Sequence, residues 1–197
     1  MQEENFSPQA SLALIQSMIA KTRQGISDNS IHFLIWGWVT FVAFIGQFVL
    51  KNMLDYEQHY LVWLLVFPAS IASFYLGMKQ NKKREATTYV GESMQYLWMG
   101  MGIGYFVLSV ILTRLGWNAT IYPFFMLLYG LGTFISGKLL EFKPLVYGGL
   151  MAWVLAIGST FFSYDYQMLF GAGAILVSYI IPSYLLKIKV NKKKNIL

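Results

Sequence analysis

Six stretches of the chain are apolar almost without interruption, and short polar segments separate them. They cover residues 31–50, 60–78, 94–113, 121–136, 144–162 and 168–186. A helix rises about 1.5 Å per residue, so roughly twenty apolar residues match the ~30 Å hydrocarbon layer of a bilayer. The pattern predicts an all-α fold: a polytopic transmembrane bundle of six helices.

Residues 7–24 have a different rhythm. Ser7 and Pro8 form a helix start, with proline at the first helical position, where its missing N–H costs nothing. Leu12, Leu14, Ile15, Met18 and Ile19 then share one face, while Gln9, Gln16, Lys21 and Arg23 fall largely elsewhere. The apolar run is too short to span, so an amphipathic helix lying in the interface is expected. Gly25 closes it, and Ser27 to Ser30 offer caps for the first span. The organisation is therefore an N-terminal segment over 1–29, a membrane domain over 30–187 and a basic tail over 188–197.

Within the spans, proline and glycine mark the expected irregularities. Pro68 near the middle of the second span predicts a kink, with Ser70 or Ser73 placed to satisfy the freed carbonyl. Pro182 falls near the end of the sixth. Gly100 and Gly104 have the spacing of a close helix contact, and Gly148, Ala152, Ala156 and Thr160 make a small-residue seam along the fifth span. Leu34-Ile35-Trp36-Gly37, Leu97-Trp98-Met99-Gly100 and Leu145-Val146-Tyr147-Gly148 suggest a repeat of three hairpins, which biased composition would also produce.

Composition agrees with the pattern. Hydrophobic residues make up 56%, charged residues only 12%, and mean hydropathy is +0.51, whereas ordinary domains carry about 25% charge. The charges also have a side. Thirteen of the fifteen Lys and Arg fall in 1–30, in the loop holding Lys79, Lys82, Lys83 and Arg84, in the loop holding Lys138 and Lys143, and at Lys187 and the tail that follows it. Lys51 and Arg114 alone fall opposite. By the positive-inside rule both termini are cytoplasmic, N-in and C-in. Tyr60, Trp63, Trp117, Tyr122 and Tyr164 fit an aromatic belt at the outer boundary. Lys21, Arg23, Lys79, Lys82, Lys83, Arg84, Lys187 and Lys189 are the candidate inner-face contacts to anionic lipid or to a soluble or membrane protein partner. With so little polar surface, the net charge of +6 is not read as a nucleic-acid footprint.

At Leu14-Ile15-Gln16-Ser17-Met18-Ile19, Ser27-Asp28-Asn29-Ser30 and Trp36-Gly37-Trp38 the sequence resembles a family of small uncharacterised bacterial membrane proteins with an N-terminal amphipathic helix and six spans. The match covers chiefly the first fifty residues. The resemblance implies a bacterial cytoplasmic-membrane location and carries no activity or functional residue with it.

Chemistry is disfavoured by residue type. There is no cysteine, which removes thiolate metal sites, cysteine nucleophiles and dithiol redox chemistry. The central parts of the six spans hold no ionisable Asp, Glu, Lys, Arg or His, the usual markers of proton relays and ion pathways. Their most polar positions are Thr40, Gln47, Ser109, Thr133, Ser159 and Ser178. The only histidines, His32 and His59, stand at opposite boundaries, so an intramembrane serine–histidine pair is not expected. One outer-face cluster is a candidate: Asp55, Glu57 and His59 alternate in the first outer loop, with Arg114 and Asp165 in the others. Such residues suit a metal or an acid–base pair, and equally an ordinary solvated loop. No metal or cofactor is expected. The expected function is non-enzymatic interaction, anchoring or modulation, and the alternative is a small carrier or permease-like component for a neutral or hydrophobic solute.

Overall fold

The computed structural model describes residues 31–82, 89–117 and 120–194, and among these no strand occurs. The expected amphipathic helix, with Lys21 and Arg23, lies outside the described residues, as do Lys83 and Arg84. The helices are α1 (Ile31–Asn52), α2 (Val66–Lys82), α3 (Tyr89–Arg114), α4 (Ile121–Leu139), α5 (Lys143–Ser159), α6 (Tyr164–Ile175) and α7 (Ile181–Lys194). A 3-10 turn, His59–Leu65, leads into α2, and a π turn, Leu176–Ile180, joins α6 to α7. Four stretches are long and apolar enough to cross a membrane: Ile31–Asn52, His59–Lys79, Tyr89–Arg114 and Tyr164–Ile188. The two remaining helices, α4 with 19 residues and α5 with 17, form the tightest pair.

Cross-helix bonds set the bundle up and down. Gln47, toward the end of α1, reaches His59 and Trp63 before α2, Tyr122 at the start of α4 and Tyr164 at the start of α6. At the other end, Trp36 near the start of α1 donates to Ser73 well along α2, and Gly37 meets Ile180 at the close of the π turn. The two ends differ in charge. Lys79, Lys138, Lys143 and Lys187 are exposed at the end where α1 begins, while Lys51 and Arg114 lie at the other.

Close approach is made by glycine, because a missing Cβ lets backbones meet where lipid supplies no hydrophobic drive between helices. A Cβ on Gly149 of α5 would stand 2.8 Å from the Gly130 carbonyl oxygen of α4, and one on Gly137 only 2.6 Å from the Val146 nitrogen. Trp153 of α5 covers Gly130 and donates its indole N–H to the Leu127 carbonyl at 3.0 Å. The expected α5 seam is seen at Gly148, Ala152 and Ala156, all buried, whereas Thr160 is exposed. Gly148 faces the Val177 and Ser178 carbonyls, so the π turn is held between Gly148 on one side and Gly37 on the other. Pro182 explains the widened turn: its ring displaces the carbonyl four residues back and cannot donate to it.

One expectation needs correction, and another takes a different form. Gly100, Gly102 and Gly104 of α3 have nothing within 4 Å of a built Cβ, so their spacing makes no close contact among the described residues. Pro68 does stand near the middle of the continuous span His59–Lys79, but what marks it is a change from 3-10 to α winding at Val66, before which the chain is wound more tightly. Ser70 donates to the Val66 carbonyl at 2.8 Å, and Ser73 accepts from Trp36 of α1 at 3.0 Å.

The remaining ends follow their own local rules. Lys143-Pro144 opens α5 from an extended Phe142. Gly116, with φ 72, ends α3, as the Trp117 N–H reaches the Leu112 carbonyl and the Gly116 N–H that of Thr113. The same Schellman closure ends α4 through Phe142 to Gly137 and Glu141 to Lys138, but with Glu141 at φ 49 in the glycine position.

Candidate functional site

Polar residues run down one face of α1 at helical spacing: His32, Trp36, Thr40, Gln47 and Lys51. At the first level, Ser73 of α2 accepts the Trp36 indole N–H at 3.0 Å and lies 3.1 Å from His32 Nδ1. At the second, Thr40 and Tyr129 of α4 share a hydrogen bond of 3.0 Å.

The third level is the most elaborate. Gln47 is 1% exposed. Its Oε1 accepts from Trp63 Nε1 at 2.5 Å and from the Tyr122 hydroxyl at 2.6 Å. Its Nε2 donates to His59 Nδ1 at 3.0 Å and to the Tyr164 hydroxyl oxygen at 3.4 Å. An amide has two donor hydrogens and two principal acceptor positions, and all four are in use. Because Nδ1 accepts, the His59 proton is placed on Nε2 and the ring is neutral. Tyr122 and Tyr164 stack at 5.1 Å between centroids and share a further hydrogen bond of 3.1 Å. Lys51 pairs with Asp165 just beyond, its ammonium 4.6 Å from the Tyr164 ring centroid.

Between the second and third levels sits Phe44, 1% exposed. It presses on Gly171, where a Cβ would lie 2.5 Å from the ring, and meets Trp63 and Tyr122 edge-on. The polar levels are therefore separate layers.

Of the outer-face candidates, His59 and Asp165 belong to this layer, on different partners. Asp55, Glu57 and Arg114 are exposed and close no ion pair among the described residues. Among those residues no three His, Asp or Glu come together as a metal-ligand set, so the alternating Asp55, Glu57 and His59 do not converge. Trp63, Tyr122 and Tyr164, read from sequence as belt residues, turn inward to Gln47, while Tyr60 and Trp117 are exposed. At the cationic end Lys79 and Lys187 are exposed, whereas Lys82 and Lys189 are described by their helical backbone alone.

The layer can clamp four elements, but it offers little chemistry. Its one carboxylate, Asp165, pairs with Lys51 and makes no hydrogen bond to His59, and the central amide has no bonding capacity to spare for a substrate. Sequence reasoning had marked Gln47 only as a polar interior position. Its fall on the same face as Thr40 and Trp36 was the available signal.

A groove of about 720 Å³ opens near this end between Trp117, Phe124, Leu127, Ile157 and Gln167. It is mostly apolar, and Gln167 on its wall donates to the Phe162 carbonyl at 3.2 Å while its Oε1 is buried and unpaired. No family model, curated protein or solved structure matches the chain, so the functional reading rests on its own residues.

Proposed function

We propose that this is a six-span protein of the bacterial cytoplasmic membrane, with both termini cytoplasmic, that works without catalysis by interaction, anchoring or modulation. The observation that carries the reading is close packing at three places in the interior. Gly149 meets Gly130 backbone to backbone, Phe44 closes on Gly171, and the Gln47 amide is saturated. An interior so occupied leaves the outer surface as the place to act. Spanning by α4 and α5 is supported by their course between the same two ends as their neighbours; 17 residues rise about 26 Å.

The exposed lysines Lys79, Lys138, Lys143 and Lys187 mark the proposed cytoplasmic end. Anionic lipid attracts such residues by about 1 kcal/mol each. The amphipathic segment 7–24 lies on the same side in this reading and is the proposed contact for a partner. The test is co-purification from native membranes: one defined soluble protein should accompany the full chain and be lost on deletion of 7–24. Retention of the same set of proteins after that deletion overturns the partner role.

The groove beside Gln167 favours a second reading, a carrier-like component for a neutral or hydrophobic solute. A reproducible rise in melting temperature with small apolar solutes, abolished by filling the groove from its exposed wall with Thr160→Phe, would select it over the first.

A further inference from the structure

Four hydroxyls, those of Tyr105, Thr133, Tyr179 and Ser183, are cut off from solvent and close no hydrogen bond in the structure. Three of them converge. The Tyr129 ring lies 5.1 Å from that of Tyr105 and 5.3 Å from that of Tyr179. Thr133 is one turn further along α4, and the Tyr179 hydroxyl faces it without completing a bond. Thr40 enters from α1 to bond Tyr129. Thr133 is fully buried and Tyr179 is 1% exposed.

A buried hydroxyl without a partner is costly, and most such groups in folded proteins are satisfied by protein or by ordered water. Three at one place, from α3, α4 and the π turn, point to a shared guest. The guest is neutral, because no Asp or Glu stands among these residues to balance a cation. Each hydroxyl can both donate and accept, which matches water and its need for two to four polar neighbours. We infer that Thr40, Tyr105, Tyr129, Thr133 and Tyr179 form an internal water site at half height in the bundle. The π turn places Tyr179 in it, and Phe44 separates it from the saturated Gln47 layer, which needs no guest. The inference does not depend on whether the protein acts as an anchor or a carrier.

Radiolytic hydroxyl-radical footprinting of the full chain in nanodiscs tests it directly. Bound water makes Tyr105 and Tyr179 modifiable, while the buried Tyr122 and Phe44 stay protected. Protection of Tyr179 equal to that of Phe44 overturns the site. The isosteric variants Thr133→Val and Tyr179→Phe give an independent sign. A water site predicts that each lowers the melting temperature by a few degrees and that the double variant loses less than the sum. A dry cluster predicts a rise, since the variants then remove unsatisfied groups. Exchange of Na⁺ for K⁺ or a bulky organic cation should leave the melting temperature unchanged. A cation-specific shift abolished by Tyr179→Phe overturns the neutral guest.

Discussion

The Tyr122 hydroxyl donates to the Gln47 side-chain carbonyl across 2.6 Å, joining the start of α4 to the end of α1. The same oxygen takes the Trp63 indole N–H, and the other half of the amide takes His59 and Tyr164. Gln47→Leu keeps the bulk and leaves the half-buried Trp63 donor without its acceptor and the buried Tyr122 hydroxyl with Tyr164 alone. The expected loss is about 1–3 kcal/mol, at the lower end because bonds between membrane helices are worth less than their burial suggests. Tyr122→Phe should cost about 1 kcal/mol or less, and the double variant should fall short of the sum. Thermal unfolding in a mild detergent measures all three.

The glycines divide by what a methyl group would meet. Gly149→Ala drives a Cβ against the Gly130 carbonyl and the Phe134 nitrogen, backbone that cannot yield, and should cost about 1–3 kcal/mol. Gly100→Ala meets open space and should be neutral or raise stability by up to about 1 kcal/mol. Equal losses at both positions would show that α3 has a close neighbour beyond the described residues.

Glu141 occupies, at φ 49, the position that Gly116 fills at φ 72 in the matching closure of α3. Glu141→Gly relieves that backbone strain and should stabilise by roughly 0.5–1 kcal/mol. A lower melting temperature would mean that the glutamate side chain makes up more than its backbone costs.

Lys51 and Asp165 each keep about a third of their side-chain surface in solvent (33% and 35%). Asp165→Asn should therefore cost less than about 1 kcal/mol, with the difference shrinking in high salt. A larger, salt-insensitive loss would place the pair in a drier setting than its exposure indicates.

Because the chain has no cysteine, single cysteines report orientation cleanly. Asn81→Cys should resist an impermeant thiol reagent in intact cells and react after lysis, and Met53→Cys should react from outside. The reverse pattern sinks the proposed orientation.

Much of the fold was legible because polar groups in an apolar helix must face protein. Of Thr40, Gln47, Ser109, Thr133, Ser159 and Ser178, the polar positions central to the spans, all but Ser109 are buried, and Ser109 turns its hydroxyl back to the Tyr105 carbonyl of its own helix. Their partners were not readable, since these depend on how each helix is rotated: Gln47 reaches His59 twelve positions away and Tyr164 across 117. Tyr122 and Tyr164 suit an aromatic belt and a buried hydrogen bond equally, having an apolar body and a polar tip. The glycine stripe of α3 and the seam of α5 have the same spacing, and rotation alone makes one open and the other closed. Pro68 was legible as a mid-span irregularity, but its form, a change from 3-10 to α winding within one span, was not.

The π turn also sets the phase of everything after it. A π turn accommodates one residue more than an unbroken α-helix would, and each residue turns the helix by about 100°. Leu186, 1% exposed, and the exposed Lys187 are adjacent in that rotation. Deleting a single residue from 176–180 would restore an ordinary helix with Leu186 still buried, whereas winding the full sequence without the swelling would turn Leu186 out to where Lys187 now stands, so the swelling beside Pro182 keeps a leucine in the core.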